Sequence, residues 1–456
     1  MPLPDSRPAD PPRHRITGLE DMTLRLRAMD ARRLGVEIVE GPQTAKLEAL
    51  PPLAVPQVTP HGASPTLRPA RALAIGDESG DSSLDPWLDP SWSPRALGEV
   101  LFSWLFAGAA RDALSAARSA VHAAGDRGLR LRLLIDARER ALRPLLALPW
   151  ELLFDARQRN YLALDTVHPV VRSLGLPTAL RPRALDGPLR VAVAIAEPTD
   201  LSPLNAKGEL TALRALEAES SGSIQLEVLP TATLEALRNL LQRRRVDSLH
   251  FIGHGHHDPS TGASRLVFVG AGGRAHSIPA TLLSQHLRSP DPPRLVVLNA
   301  CHGARASQRA EHDPFDSVAA ALALADVPAV VAMQWEISNE AAITLSRMLY
   351  PALADGVALE SALTEARLAI ARLHGLDGSA RDWAAPALYL HAANGRLFDR
   401  GASAADGADI GEGHEDESAR SETSIGDFRV DNVQRGVVVG HGSSVDGSFD
   451  FGGGGS

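Results

Sequence analysis

A single cysteine, Cys301, stands in the 456 residues of this chain, and its thiol is the first candidate for chemistry. A thiol of pKa about 8.5 is only a few per cent thiolate at neutral pH, so an adjacent base or imidazolium is what makes it a useful nucleophile. The run Gly253-His254-Gly255-His256-His257 offers an imidazole, and Asn299-Ala300-Cys301-His302-Gly303 surrounds the thiol. Each run follows a short apolar stretch, Leu249 to Ile252 and Leu295 to Leu298, that reads as a β-strand, so both are expected as polar loops at strand ends. Strands that neighbour each other lie about 5 Å apart, which brings an imidazole and a thiol at equivalent ends within hydrogen-bonding reach. The chain between them has room for one hairpin, Arg265 to His276, and one crossover helix, Pro279 to Leu287. His254 is then the base and Cys301 the nucleophile of an acyl transfer. The N–H groups of Gly255 and Cys301 are placed to hold the developing oxyanion.

Blander readings compete. A lone cysteine in an α/β core usually packs as a small hydrophobe. Histidines 254, 256, 257 and 302 are metal-type ligands, but no carboxylate-rich pattern or His-x-x-x-His helical spacing accompanies them, so neither metal nor cofactor is expected. With one cysteine there is no internal disulfide and no thiolate cluster, which suits a reducing compartment. The apolar stretches are far short of the roughly 20 residues a bilayer requires, and the start, Met1 to His14, is rich in proline and charge without a signal-peptide core. A cytoplasmic protein is expected, with no membrane partner.

The elements that must position this dyad follow from hydrophobic pattern. At 44% apolar and 22% charged the composition is globular. From Leu189 onward short apolar runs (LRVAVAIAEP, IQLEVLP, VDSLHFIGHG, RLVVLNAC, PAVVAMQW) alternate with helical segments around residues 206–219, 234–244, 314–325, 339–354 and 359–373, with Ala387 to His391 as a last strand. That alternation is the signature of βαβ crossovers and a buried, mostly parallel sheet, with the reacting groups at the carboxyl ends of its strands. Before it, Thr23 to Asp30 and Leu34 to Glu40 read as a hairpin, Gly41 to Pro94 as a proline-rich excursion, and Ser93-Pro94 as the cap and first turn of a helix. Leu129 to Asp136 alternates as a strand. The expected organisation is a disordered start (1–20), an N-terminal α/β part (21–188), a half carrying the dyad (189–400), an acidic disordered linker (401–424) and a Gly/Val-rich tail (425–456).

The motifs resemble a known family. Asn299-Ala300-Cys301-His302-Gly303 with His254 upstream matches the caspase pattern Q-A-C-x-G, Asn replacing Gln. HFIGHG (His250 to Gly255), LVVLNACHGA (Leu295 to Ala304), DPFDSVAAALALADVPAVVAMQWEIS (Asp313 to Ser338) and LPWELLFD (Leu148 to Asp155) together look like the CHAT family of caspase-like cysteine peptidases, kin to caspases and separase, over roughly Leu97 to Phe398. The resemblance implies a caspase-like three-layer α/β/α sandwich, preceded by a smaller α/β region. It implies cysteine endopeptidase activity with His254 as base, Cys301 as nucleophile and the Gly255 and Cys301 amides as oxyanion hole. It also places Glu336 near the pocket for the residue preceding the scissile bond, where a carboxylate selects Arg or Lys. Asp313 before Pro314 reads as an N-cap, and the loop His302 to His312 as a place for self-cleavage.

The net charge of −9 sits almost wholly at the end, where residues 401–456 hold 11 acidic and 3 basic side chains. A nearly neutral body with 4% aromatics offers little to a phosphate backbone, so no direct nucleic-acid partner is expected. Val433 to Val445 (VQRGVVVGHGSSV) has few charges, no proline and clustered β-branched residues between glycines, which suits stacking of identical strands. It resembles the amyloid-signalling motifs that pair bacterial immune effectors with a nucleotide-binding receptor. The expected function is therefore a cysteine endopeptidase cleaving a protein substrate, the effector of a bacterial immune or cell-death system. The alternative is a non-catalytic recruitment module of the same fold.

Overall fold

A computed structural model describes residues 18–29, 33–41, 44–51, 55–56, 67–68, 93–136, 138–139, 142, 145–146, 148–175, 178–258, 263–288, 291–300, 314–325, 327–376 and 381–400. The chain divides into two units, Met1–Gly401 and Ala402–Ser456, and every described residue belongs to the first. The linker and tail, the stretch 301–313 with Cys301 and Asp313, and the start of the chain lie outside the described residues.

Among the described residues thirteen strands form one sheet. In chain order they are β1 (Gly18–Ala28), β2 (Leu34–Glu40), β3 (Ala45–Ala49), β4 (Arg127–Ile135), β5 (Val170–Ser173), β6 (Leu189–Ile195), β7 (Ile224–Leu229), β8 (Ser248–Asp258), β9 (Ala263–Val269), β10 (Ala275–Pro279), β11 (Leu295–Ala300), β12 (Ala329–Met333) and β13 (Pro386–Leu390). The lateral order is β7-β6-β8-β11-β12-β13-β5-β4-β1-β2-β3, with β9 and β10 continuing from β8 as an antiparallel flange. The first five strands of that order are mutually parallel. β13 is antiparallel to β12 and parallel to β5, so the region before residue 189 joins the same sheet with β5, β4 and β1 in the reversed direction, followed by the antiparallel β2 and β3.

Every residue of β11, β12 and β13 is buried, as a sheet covered on both faces requires. The eight described helices are α1 (Pro94–Leu105), α2 (Ala109–Ala124), α3 (Ala206–Glu219), α4 (Leu234–Arg243), α5 (Ala280–Leu287), α6 (Pro314–Leu324), α7 (Asn339–Ala354) and α8 (Leu359–His374). After residue 189 they form two groups, α3 with α7 and α8, and α4 with α5 and α6. The result is an α/β/α sandwich, the architecture expected from the alternating pattern.

Local sequence explains most boundaries. α1 begins on Pro94, whose fixed φ suits the first turn, although Ser93 makes no side-chain cap bond. Its buried face holds Leu97, Leu101, Trp104 and Leu105, while Val100 is only half-buried. α2 stops at Gly125, which takes the left-handed conformation at φ 80°. Thr233 and Ser338 cap α4 and α7 by accepting from the N–H groups of Ala236 and Ala341.

A buried polar knot joins the halves of the sheet. The Arg172 guanidinium on β5 donates to Glu151, to the carbonyls of Leu146 (2.7 Å) and Leu148 (3.2 Å), to the Tyr389 hydroxyl (3.2 Å) and to Oε1 of Gln334 (2.7 Å). Gln334 in turn donates to Glu151 (2.7 Å) and the Ala384 carbonyl (2.9 Å). Since Gln334 directly precedes Trp335 and Glu336, this knot fixes the root of the segment leaving β12.

Candidate active site

His254 stands where β8 leaves the parallel sheet. Residues Ser248 to Ile252 pair with β6, and Ser248 to Gly253 pair with β11, the last described pair being Gly253 with Ala300. From His254 to Asp258 the same strand pairs antiparallel with β9, His254 opposite Val267 and Gly255 opposite Leu266. The run Gly253 to His257 is therefore strand, a correction to its reading as a loop. Glycines and histidines carry no strand preference, and only the partner β9 makes that backbone extended. Gly253 is required by close approach, because a Cβ there would meet Cζ of Phe251 at 2.6 Å and the Cβ of Ala196 at 3.2 Å. Its φ is not positive.

His254 is 5% exposed, and its Nε2 lies 2.9 Å from the carbonyl oxygen of Ser202. A carbonyl can only accept, so Nε2 carries the proton and Nδ1 is the basic nitrogen of the neutral ring. The ring also borders an open pocket of ≈ 230 Å³ shared with Ser202, Gly255, Val267, Ala275 and Ser277. That arrangement can move a proton at Nδ1 beside a space large enough for a side chain.

Beneath it lies a second histidine that the sequence reading left without a role. Alternation along β8 puts His250 on the same face as His254, and on this face His250 Nε2 meets Glu209 Oε1 of α3 at 2.9 Å while Nδ1 meets the Tyr350 hydroxyl of α7 at 2.6 Å. Asn299 of β11 donates to the other Glu209 oxygen at 2.7 Å. Burial pushes the Tyr350 hydroxyl well above the usual phenol range. The signal for this cluster was present in the sequence, since a His and an Asn inside otherwise apolar runs must find partners when buried. Its partners on α3 and α7 carried no local mark, and the Ser202 carbonyl had none at all.

The other named site residues fall out as follows. Gly255 is half-buried in β8, next to His254. Glu336 is exposed just beyond β12, the strand next to β11, and makes no ion pair among the described residues. Partial burial pushes its carboxyl above the usual range. Cys301 follows Ala300 in the chain but lies outside the described residues, as do His302 and the side chains of His256 and His257. Among the described residues no cluster of potential metal ligands occurs and no helix is long and apolar enough to cross a membrane.

The chain thus folds as an α/β/α sandwich about a mostly parallel sheet, with His254 where β8 passes from parallel pairing to its antiparallel partner β9. The CHAT domain description matches residues 95–391, and the chain belongs to that family. No curated protein matches it. Among solved structures it is similar to the separase–securin complex of Saccharomyces cerevisiae, at 14% identity and TM-score 0.35 over 64% of this chain and 17% of that one. It is also similar to the Arg-specific cysteine proteinase gingipain R, at 10% identity and TM-score 0.36 over 60% and 64% of the two chains. A third likeness is to the complex of Porphyromonas gingivalis RgpB pro- and mature domains, at 11% identity and TM-score 0.38 over 64% and 72%. The alignment thus spans less than a fifth of the separase chain.

Proposed function

We propose that this protein is a cysteine endopeptidase in which Cys301 is the nucleophile and His254 the base. The observation that carries the reading is the register of β8 and β11. Gly253 and Ala300 form the last described pair, and the next residues in the chain are His254 and Cys301. Ala300, to which Cys301 is covalently joined, lies on the strand adjacent to that of the histidine.

The chemistry follows from the tautomer. Nδ1 of His254 takes the thiol proton, and the thiolate attacks the carbonyl carbon of the scissile peptide bond. The resulting oxyanion is held by the N–H groups of Gly255 and Cys301. The imidazolium then returns its proton to the leaving amine as the C–N bond breaks, leaving a thioester. Water, deprotonated by the same ring, attacks the thioester to release the acid and restore the thiol. The Ser202 carbonyl keeps the ring in the one tautomer that can do this and favours the imidazolium once formed.

Glu336 is the proposed contact for a basic residue before the scissile bond. Val433 to Val445 is the proposed docking motif for a nucleotide-binding receptor, in a cytoplasmic bacterial immune or cell-death system; templated stacking of that motif would concentrate the catalytic units. The test is to incubate the full chain with a cell lysate, with and without that receptor, and to sequence newly formed protein termini. Termini that arise with the native chain and vanish with both Cys301→Ala and His254→Ala support the peptidase. Termini unaffected by Cys301→Ala, or none under either condition, refute it.

A further inference from the structure

We propose that Glu209 is a positioning residue, its carboxylate tying β8 to β11 and so fixing the separation of the two strand ends that lead into His254 and Cys301. The inference rests on the Cys–His reading above. Glu209 is 6% exposed, and each of its oxygens takes a hydrogen from a different strand, Oε1 from His250 and Oε2 from Asn299. Both donors are nearly inaccessible, at 1% and 4%. Tyr350, fully buried, closes the far side of the His250 ring. One carboxylate therefore joins four elements, α3, β8, β11 and, through the imidazole, α7.

The position of this bridge is what gives it a role. The last described pair between β8 and β11 is Gly253 with Ala300, and from His254 onward β8 pairs with β9. His250 lies four residues before His254 and Asn299 two residues before Cys301 in the chain, and His250 and Asn299 both face α3. Apolar side chains would fill the same space without any preferred direction. Hydrogen bonds at 2.7–2.9 Å to a single carboxylate set both the distance and the orientation of the strands close to their last described pair. Misplacement of reacting groups by about 1 Å can cost about 100-fold in rate, so small slack here reads out at the thiol. Glu209 also sits in the first turn of α3, where the helix dipole favours an anion.

The single cysteine makes the test unambiguous. Iodoacetamide alkylation of the full chain is followed by mass spectrometry at a series of pH values, giving a rate and a pH midpoint for Cys301. Asn299→Ala cuts the bridge on the β11 side alone, and Glu209→Asp leaves a carboxylate too short to reach both strands. Each is expected to slow alkylation about tenfold or more and to move the pH midpoint toward that of His254→Ala, with circular dichroism unchanged. Having both variants guards against one failing to fold. Glu209→Gln is the rescue. Its Oε1 still accepts from His250, and its amide can donate to Asn299 Oδ1, which has no partner among the described residues, once that side chain turns. It is expected to stay within about threefold of the native rate. Native rate and midpoint in Asn299→Ala or Glu209→Asp, while His254→Ala loses the excess reactivity, would overturn the bridge and leave the dyad standing. Loss in Glu209→Gln as large as in Glu209→Asp would equally overturn it. Equal rates in the native chain and His254→Ala would sink the dyad itself and this proposal with it.

Discussion

Replacing Arg172 by methionine should be among the most damaging single changes in the molecule, and the structure gives the size. The guanidinium is fully buried, and the substitution removes its bonds to Glu151, Gln334, Tyr389 and the carbonyls of Leu146 and Leu148 together. What remains around the Glu151 carboxylate, 1% exposed, is the Gln334 amide at 2.7 Å and the Arg367 guanidinium at 4.0 Å. Stranding one member of a buried pair costs about 3–5 kcal/mol, because the partner keeps its desolvation penalty. With a urea m-value of about 3 kcal/mol/M, the unfolding midpoint falls by about 1–1.7 M. Adding Glu151→Gln to the same protein removes the stranded charge and should recover about 1–3 kcal/mol, although the same change in the native chain is destabilising. The assay is urea unfolding by circular dichroism on the four proteins of that cycle. A double variant no more stable than Arg172→Met alone would refute the argument, since the damage would then come from lost packing and not from an unpaired charge.

Three further outcomes are expected. Gly253→Ala pushes a methyl group into the Phe251 ring, which is itself packed 5.1 Å from Phe268, and should cost about 1–3 kcal/mol in unfolding experiments; Phe251→Leu in the same chain should return part of it. Burial by itself would raise the Asp165 carboxyl, but the hydrogen bond and charge of His168, at 2.8 Å, together with the N–H groups of Val167 and His168, hold it below the usual carboxylate range. A depressed folded-state pKa stabilises above the unfolded value of about 3.9 and ceases to do so as pH falls through the folded value, so Asp165→Asn should cost about 1 kcal/mol at pH 7 and nothing near pH 2. For the peptidase reading, Glu336→Gln should lower kcat/KM for substrates with Arg before the scissile bond about tenfold relative to those with a neutral residue there, and an unchanged ratio would remove Glu336 from the specificity pocket.

Much of the fold was legible because it depends on local order of residue types. The α3 and α7 spans, 206–219 and 339–354, coincide with their periodicity, and α2 ends at the glycine that marks its stop. Apolar runs such as LVVLNA had to be buried strands, and their alternation with helices required a parallel sheet. His254 and Cys301 were candidates for the same reason, since a parallel sheet gathers polar strand ends on one rim and one hairpin and one crossover helix separate the runs that lead into them.

Tertiary structure alone decided the rest. Extension of β8 through His257 comes from pairing with β9, a partner whose register no single run encodes. Reversal of direction at β13, which merges the region before residue 189 into the same sheet, depends on a pairing between segments more than two hundred residues apart, Tyr389 with Arg172. The bonds of Glu209 to His250 and Asn299, of Arg172 to Glu151 and Gln334, and of His254 to the Ser202 carbonyl are of this kind too. Periodicity shows that a polar residue will be buried and therefore must be satisfied, but which group satisfies it is chosen by how layers dock, and that choice is written in three dimensions and not along the chain.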